Sequence, residues 1–176
     1  VAPIFKGGNR SDVNNYRPIS LTCVLCKLLE HIISSNMWSH IDNYDIVTEN
    51  QHGFRKNLNT TTQLLHVTHR AAEALDQKRN YNIVSFDFTK AFDRVPHELL
   101  VYKLSRYNFD KTCVQWISDW LKGRSSVVSA NGHLSKEFEV CSGVPQGSVL
   151  GPLLFLLYIN DIHTNVIHSD CRLYAD

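Results

Sequence analysis

Two aspartates, each at the end of an apolar stretch, are the residues of this chain best suited to chemistry. Asp87 follows the stretch 83–86, and Asp176 ends the segment 171–176. A carboxylate at the edge of a core is costly to bury without a partner, and oxygen ligands of this kind suit Mg²⁺. Two such strands side by side would hold two metal ions about 3.5–4 Å apart, as nucleotidyl transfer requires. The alternative is that each aspartate only caps a helix or starts a turn.

Between the aspartates lies a segment rich in glycine and proline, Ser-Gly-Val-Pro-Gln-Gly-Ser-Val-Leu-Gly-Pro at 142–152. Glycine and proline interrupt regular structure, and glycine lets the backbone approach a ligand closely. The apolar run 149–159 then contains Gly151 and Pro152 and is too short to span a bilayer. This run predicts a buried core helix.

A series of motifs in a fixed order gives the chain a family resemblance. They are Asn-Tyr-Arg-Pro-Ile-Ser-Leu at 15–21, Asn-Gln-His-Gly-Phe-Arg-Lys at 50–56, Phe-Asp-Phe-Thr-Lys-Ala-Phe-Asp at 86–93, the glycine- and proline-rich segment, and Tyr-Ala-Asp at 174–176. In this order they resemble the motifs of reverse transcriptases, above all those of non-LTR (LINE-like) retrotransposons. The resemblance covers nearly the whole chain.

Strands mixed with packed helices indicate an α+β or α/β domain. The resemblance adds a right-hand polymerase architecture with fingers and palm and without a thumb. It implies that residues 1–80 form a mostly helical fingers-like region. Residues 81–176 would form a palm-like region that carries the catalytic carboxylates, and the two regions together would make one reverse transcriptase domain fragment.

The resemblance also implies the metal site. Asp87, the backbone carbonyl of Phe88 and Asp176 would hold two Mg²⁺ ions, with Mn²⁺ as a possible substitute, and the two aspartates would be catalytic. We expect their carboxylates to lie at neighbouring strand ends. The family reads Tyr-Ala-Asp-Asp, whereas this chain ends at the first of these aspartates. We therefore expect a truncated reading frame whose 176 residues show little or no polymerase activity.

By the same resemblance, Phe92 occupies the steric-gate position, where a bulky ring clashes with a ribose 2′-hydroxyl and favours deoxynucleotides. Gln146 and Gly147 match the motif that contacts the incoming nucleotide and the template base. An amide side chain offers both a donor and an acceptor, and glycine permits close backbone approach. The alternatives are an ordinary core phenylalanine and a structural turn. We expect Phe92 and Gln146 to face the same cleft as Asp87.

Three basic residues match positions that contact phosphates in the resembling enzymes. Lys6 and Arg17 would clamp the triphosphate and neutralise charge during transfer, and Arg55 would touch the template or primer backbone. The alternative for all three is a solvated surface charge. The formal net charge of +1 does not by itself indicate a nucleic-acid-binding protein.

Local patterns predict the elements that position these residues. In the first half of the chain we expect a loop or hairpin in residues 1–20 with its turn at 6–9, a helix from 21 to 37 on an apolar stripe, a helix starting near Asn59 or Thr60, and a strand at 81–88. In the second half we expect a helix opened by Pro96 and His97, a helix capped by Asp110, a hairpin across 125–140 turning at Asn131-Gly132, and a strand at 171–174.

The five cysteines are not accompanied by a secretory signal, which favours a reducing, intracellular setting. Cys23 and Cys26 have metal-ligand spacing, and His66 and His69 are the candidates for the other half of a zinc site. Because the two cysteines fall within the apolar stripe of a predicted helix, we favour buried thiols over zinc ligands.

The function expected from the resemblance is that of an RNA-directed DNA polymerase fragment that adds dNTPs to a primer 3′-hydroxyl. Its partners would be an RNA template, a DNA primer and dNTP, with no membrane. The nucleus is the expected location, with the cytoplasm as the site of RNA loading. The alternatives are an inactive retrotransposon relic that still folds and binds nucleic acid, and a group II intron maturase-like reverse transcriptase. The oligomeric state is left open.

Overall fold

The computed structural model describes residues 1–175, and Asp176 lies outside the described residues. The elements in chain order are β1 (Ala2–Phe5), β2 (Tyr16–Ile19), α1 (Val24–Asn43), α2 (Thr60–Asp76), α3 (His97–Arg106), α4 (Lys111–Leu121), β3 (Ser125–Ser126), β4 (Ser129–Ala130), β5 (His133–Leu134), β6 (Phe138–Glu139) and α5 (Leu150–Ile159). Helices combine with small antiparallel sheets, so the coarse prediction of an α+β fold is confirmed.

The helix α5 is the centre of the core. Its residues Leu150, Leu154 and Leu157 are fully buried, because α1 and α3 pack directly against this helix. The helix α4 in turn packs on α3. The prediction that the apolar run after Pro-Gln-Gly forms a buried helix is therefore confirmed.

A buried glutamate from α1 caps the start of α5. Glu30 is 1% exposed, and its Oε2 accepts hydrogen bonds from the backbone N–H groups of Val149 and Leu150 at 2.7 and 3.2 Å. The N-cap residue of α5, Val149, makes no side-chain capping hydrogen bond. Because the first N–H groups of a helix have no partner within the helix, Glu30 supplies the acceptor and fixes α5 against α1.

Local signals place the other helix starts correctly. Asn59 forms a capping box with Thr62 at the start of α2, and Asp110 accepts from the Thr112 backbone N–H at the start of α4. The same backbone hydrogen bond lowers the pKa of Asp110 below its usual range. Pro96 is the N-cap residue of α3. These predicted starts are confirmed because capping is a contact between near neighbours in the chain.

Residues 1–20, predicted as a loop or hairpin, form a hairpin, and the hairpin predicted at 125–140 is also present. Strands β1 and β2 pair antiparallel, from Ala2 opposite Ile19 to Phe5 opposite Tyr16. In the second, β4 pairs with β5 around a turn at Asn131-Gly132, and β3 pairs with β6. Both turn residues have positive φ, 51° and 78°, as the favoured two-residue hairpin turns require.

The predicted strand at 81–88 is wrong. Residues 81–88 are exposed, with Phe86 at 81%, and they pair with no strand among residues 1–175. The predicted strand at 171–174 is reduced to a single parallel bridge between Leu173 and Gln51. A strand exists only where a neighbouring segment accepts its backbone hydrogen bonds, and local β propensity does not supply that neighbour.

The prediction of buried thiols at Cys23 and Cys26 is also wrong, since both are exposed. The first half of α1 projects Val24, Leu25 and Leu28 into solvent. The apolar residues of α1 that are fully buried, Met37 and Ile41, lie in the second half of the helix.

Among residues 1–175, no helix combines the length and the apolar character needed to cross a bilayer.

Candidate active site

A cleft of about 1660 Å³ brings together most of the residues predicted for the site. Its walls are the β1–β2 hairpin, the segment 87–93, the β4–β5 turn and the turn at 145–147. The predicted residues that line it are Lys6, Arg17, Asp87, Phe88, Phe92, Gln146 and Gly147. Phe92, Gln146 and Asp87 line the same cleft, as expected. The roles of these residues stay predictions.

Asp87 presents an exposed carboxylate to the cleft. It makes no side-chain hydrogen bond or ion pair with any of residues 1–175, and Phe88 follows it in the same wall. A free carboxylate with a neighbouring carbonyl offers hard oxygen ligands of the kind Mg²⁺ prefers. The described residues contain no cluster of three or more His, Cys, Asp or Glu side chains that is able to hold a metal ion. The donor type fits Mg²⁺, and the predicted second ligand, Asp176, is outside the described residues.

Phe92 is held by aromatic contacts at the floor of the cleft. Its ring stacks on Phe155 of α5 with a centroid distance of 4.5 Å and an interplanar angle of 18°. The exposed ring of Phe54 meets it edge-on at 6.1 Å and 83°. Because Phe155 is buried in the core, the position of Phe92 is set by the packing of α5.

Two backbone hydrogen bonds join the segment 92–95 to the segment 142–147. Gly143 donates to the carbonyl of Val95, and Val144 donates to the carbonyl of Phe92, each at 2.8 Å. Gly143 has φ +87°, and a Cβ there would lie 2.7 Å from the backbone of Asp93. Only glycine permits this approach. These contacts therefore join the two segments that line the cleft.

Gln146 is fixed at both its backbone and its side chain. The Nε2 group donates to Oδ1 of Asp93 at 2.8 Å, and the carbonyl of Gln146 accepts from the backbone N–H of Ser20 at 2.7 Å. Gly147 has φ +97°, and a Cβ there would lie 3.0 Å from the Ser20 carbonyl oxygen. This motif thus joins the end of β2 to the cleft. Asp93 has a structural part in this arrangement, because its carboxylate orients the Gln146 amide.

Cations outnumber carboxylates on the cleft walls. The charged lining residues are Lys6, Arg10, Arg17, Asp87, Lys90, Asp93. The chain as a whole is nearly neutral, so the cleft is more positive than the chain average. A concave surface of one dominant sign attracts ligands of the opposite sign, and phosphate groups meet that description.

The structure does not bring Arg55 into the cleft. Its Nη1 group donates to the Thr48 carbonyl at 3.0 Å and closes the turn that contains 48–55. The neighbouring Phe54 lines the cleft instead, and sequence reasoning did not single it out. The sequence signal that could have identified Phe54 was its position within the 50–56 motif, directly after Gly53.

Comparison with known proteins identifies the class. The family model described as reverse transcriptase (RNA-dependent DNA polymerase) matches residues 4–176. The chain therefore belongs to the reverse transcriptase family, and the family predicted from the motifs is confirmed.

The chain is similar to polymerases of mobile elements. It is 36% identical over 167 residues to the RNA-directed DNA polymerase from mobile element jockey of Drosophila melanogaster, covering 93% of this chain and 18% of that protein. It is 37% identical over 148 residues to the probable RNA-directed DNA polymerase from transposon X-element of the same organism, covering 84% and 16%.

A more distant relative is the retrovirus-related Pol polyprotein from type-1 retrotransposable element R2 of Popillia japonica. It is 25% identical over 158 residues, covering 89% of this chain and 22% of that protein. The chain thus spans less than a quarter of the length of these relatives. The relatives above 35% identity are named for mobile elements, which favours the retrotransposon class over the intron maturase-like alternative.

Proposed function

We propose that the chain is the nucleotidyl-transfer part of an RNA-directed DNA polymerase of a non-LTR retrotransposon. In this proposal, the primer 3′-hydroxyl attacks the α-phosphorus of a dNTP opposite an RNA template, and pyrophosphate leaves. The observation that carries the proposal is the convergence of Asp87, Phe92 and Gln146 on one cleft with basic walls. The 1–80 and 81–176 regions would correspond to fingers and palm.

The carboxylate of Asp87 and the carbonyl of Phe88, with Asp176, would hold Mg²⁺, for which Mn²⁺ is a possible substitute. The bound metal supplies Lewis-acid stabilisation of the charge that develops during transfer. The protein's own contribution is to hold substrate and primer in a reactive geometry. No covalent intermediate is required.

Lys6 and Arg17 supply positive charge on the wall formed by the β1–β2 hairpin. A triphosphate placed between this hairpin and Asp87 would have its charge neutralised by both side chains. The backbone bond between Ser20 and Gln146 fixes the hairpin relative to the opposite turn. This connection would hold the hairpin that carries both cations next to the turn at 145–147.

The sugar and base of the nucleotide would lie against Phe92 and Gln146. The stacked ring of Phe92 is unable to retreat, because Phe155 of the core is behind it. A ribose 2′-hydroxyl would therefore meet a fixed obstacle. The amide of Gln146, oriented by Asp93, would contact the nucleotide or template base through its remaining donor and acceptor positions.

The test is Mg²⁺-dependent dNTP incorporation on an RNA template with a DNA primer. Two proteins are compared: the 176-residue chain, and a chimera in which this chain replaces the matching segment of the jockey polymerase. We expect little incorporation by the chain alone and clear incorporation by the chimera. In the chimera, Asp87→Asn is expected to lower the rate by about 10²-fold or more, since metal-assisted charge stabilisation is worth several kcal/mol.

Asp42→Asn is the matched control, because Asp42 is an exposed aspartate on α1. Both variants are expected to keep the thermal unfolding midpoint of the parent protein. Undiminished incorporation by the Asp87→Asn chimera would refute the catalytic assignment. A chimera that folds, binds primer–template and incorporates nothing would favour the inactive relic.

The proposal also implies where in the cell the protein would act. Elements of the resembling class copy themselves at chromosomal DNA, so the protein would act inside the cell, in the nucleus, after loading its RNA in the cytoplasm. Fractionation of cells that express a tagged protein containing this chain tests the location. Recovery from the nuclear fraction together with element RNA is expected.

A further inference from the structure

A buried glutamine joins the motif at 50–56 to the last described residues of the chain. Gln51 is 1% exposed, and its Oε1 atom accepts two backbone N–H groups. One comes from Gly53 at 2.9 Å, and the other comes from Ala175 at 3.1 Å. Because a buried amide oxygen left without donors is costly, both contacts determine where the side chain lies.

The backbone around Gln51 pairs with the same segment. His52 donates to the Leu173 carbonyl, and Leu173 donates to the Asn50 carbonyl, each at 3.0 Å. These bonds form a parallel bridge between Gln51 and Leu173. The chain just before Asp176 is thus held by backbone bonds at 173 and by the Gln51 side chain at 175.

Glycine at position 53 lets the two segments come this close. A Cβ on Gly53 would lie 2.7 Å from the backbone nitrogen of Ala175 and 3.1 Å from the carbonyl carbon of Tyr174. Real Cβ atoms do not approach backbone atoms to this distance, so any other residue at 53 would displace Ala175. Ala175 itself has φ +61°, a conformation that costs energy for an L-residue and persists only when its surroundings impose it.

We propose that Gln51 is a positioning residue for the second catalytic aspartate. It fixes the backbone N–H of Ala175, the residue that directly precedes Asp176 in the chain. This inference rests on the proposed function, because it assumes that Asp176 is a metal ligand. Gln51 touches neither nucleotide nor metal in this role, and it acts only through Ala175.

The first test measures amide hydrogen exchange by NMR in the 176-residue chain. Gln51→Met keeps the volume and removes the acceptor, whereas Gln51→Glu keeps an acceptor oxygen. With Gln51→Met, the protection of the Ala175 and Gly53 amides is expected to fall about fivefold, the equivalent of one net hydrogen bond. Protection at Leu154 in the core should not change. Gln51→Glu is expected to retain the protection of Ala175.

Gln63→Met is the matched control, because Gln63 is also buried but its Oε1 has no partner among the described residues. Its substitution is expected to leave the Ala175 amide as it is. Equal loss of protection at Ala175 and Leu154 in Gln51→Met would show general destabilisation and would overturn the proposal.

The second test is the Mg²⁺ concentration that gives half-maximal dNTP incorporation by the chimera described above. Gln51→Met is expected to raise this Mg²⁺ midpoint about fivefold. Gln63→Met and Gln51→Glu are expected to keep the midpoint of the parent chimera. A smaller folded fraction would lower the maximal rate without moving the midpoint. An unchanged midpoint in Gln51→Met therefore contradicts the positioning role.

The two proposals fail in different ways. If Asp87→Asn retains full incorporation, the proposed metal site is wrong, and so is the assumption about Asp176 on which the role of Gln51 rests. If Asp87→Asn is inactive but neither Ala175 exchange nor the Mg²⁺ midpoint responds to Gln51→Met, only the role of Gln51 is wrong.

Discussion

At the residue scale, the candidate site depends on side chains whose freedom is removed by their neighbours. Phe92 is stacked on Phe155, and Gln146 is bonded to Asp93. Such contacts pre-organise a binding site, because little conformational entropy is left to lose when a ligand arrives. Asp87 is the exception, since its carboxylate is exposed and without a partner among residues 1–175.

Replacement of Phe92 by a smaller residue should relax sugar selection. Phe92→Val removes the aromatic ring that would meet a 2′-hydroxyl, so the preference for dNTP over rNTP is expected to fall about 10- to 100-fold. The measurement is the ratio of kcat/KM for dCTP and CTP with the chimera. Phe138→Val, on the exposed hairpin strand β6, should leave the ratio unchanged. An unaltered ratio in Phe92→Val would reduce Phe92 to a core residue.

At the scale of elements, the cleft is built by connections between segments distant in sequence. The segments 92–95 and 142–147 are joined by backbone bonds, and the β1–β2 hairpin is attached to them through Ser20. The start of α5 is fixed by Glu30 of α1. Displacement of one element therefore moves the others, including the turn that carries Gln146.

Loss of the Glu30 cap should destabilise the chain. Glu30→Ala leaves two N–H groups at the start of α5 without an acceptor, at a cost of about 2–4 kcal/mol. Glu30→Gln keeps an acceptor oxygen and is expected to cost less. Urea unfolding of the 176-residue chain measures both, with Asp42→Ala on the exposed surface of α1 as the control. Equal stabilities of Glu30→Ala and Asp42→Ala would show that the cap contributes nothing.

At the scale of the whole molecule, apolar surface extends well beyond the core. Large side chains that are more than half exposed include Leu21, Val24, Leu25, Leu28, Ile32, Leu64, Leu65, Leu75, Ile83, Val84 and Phe86. Extensive exposed apolar surface favours association. This surface belongs to Leu21, α1, α2 and the segment 81–88.

The isolated chain is therefore expected to self-associate and to bind a hydrophobic dye. Leu25→Lys combined with Leu28→Lys should reduce both effects while changing the unfolding free energy by only about 0.5 kcal/mol, because both residues are exposed. Leu134→Lys, at an exposed hairpin position, is the control and should have a smaller effect. Sedimentation and dye fluorescence are the measurements. A loss of several kcal/mol in the double variant would place these leucines in the core instead.

Much of the candidate site was accessible from the sequence because motif residues are fixed by type and order. Lys6, Arg17, Asp87 and Gln146 were singled out from their motifs, and all four line one cleft. Arg55 was assigned to nucleic acid by its motif, and this role stays a prediction; the structure shows that its guanidinium closes a turn outside the cleft. A motif specifies which residues occur together, and packing specifies the direction in which each one points.

By itself, the sequence determined the local structure and the family. The caps at Asn59 and Asp110, the turn at Asn131-Gly132 and the apolar helix α5 depend on neighbours within a few residues, so their patterns are visible in the chain.

Only the tertiary structure decided which apolar faces are buried and which extended segments find a partner. It left 81–88 unpaired among residues 1–175, exposed the apolar side chains of Val24, Leu25 and Leu28 at the start of α1, and brought Gln51 to the backbone of Ala175. Burial and strand pairing are relations between distant parts of the chain, so no local pattern of side chains contains them.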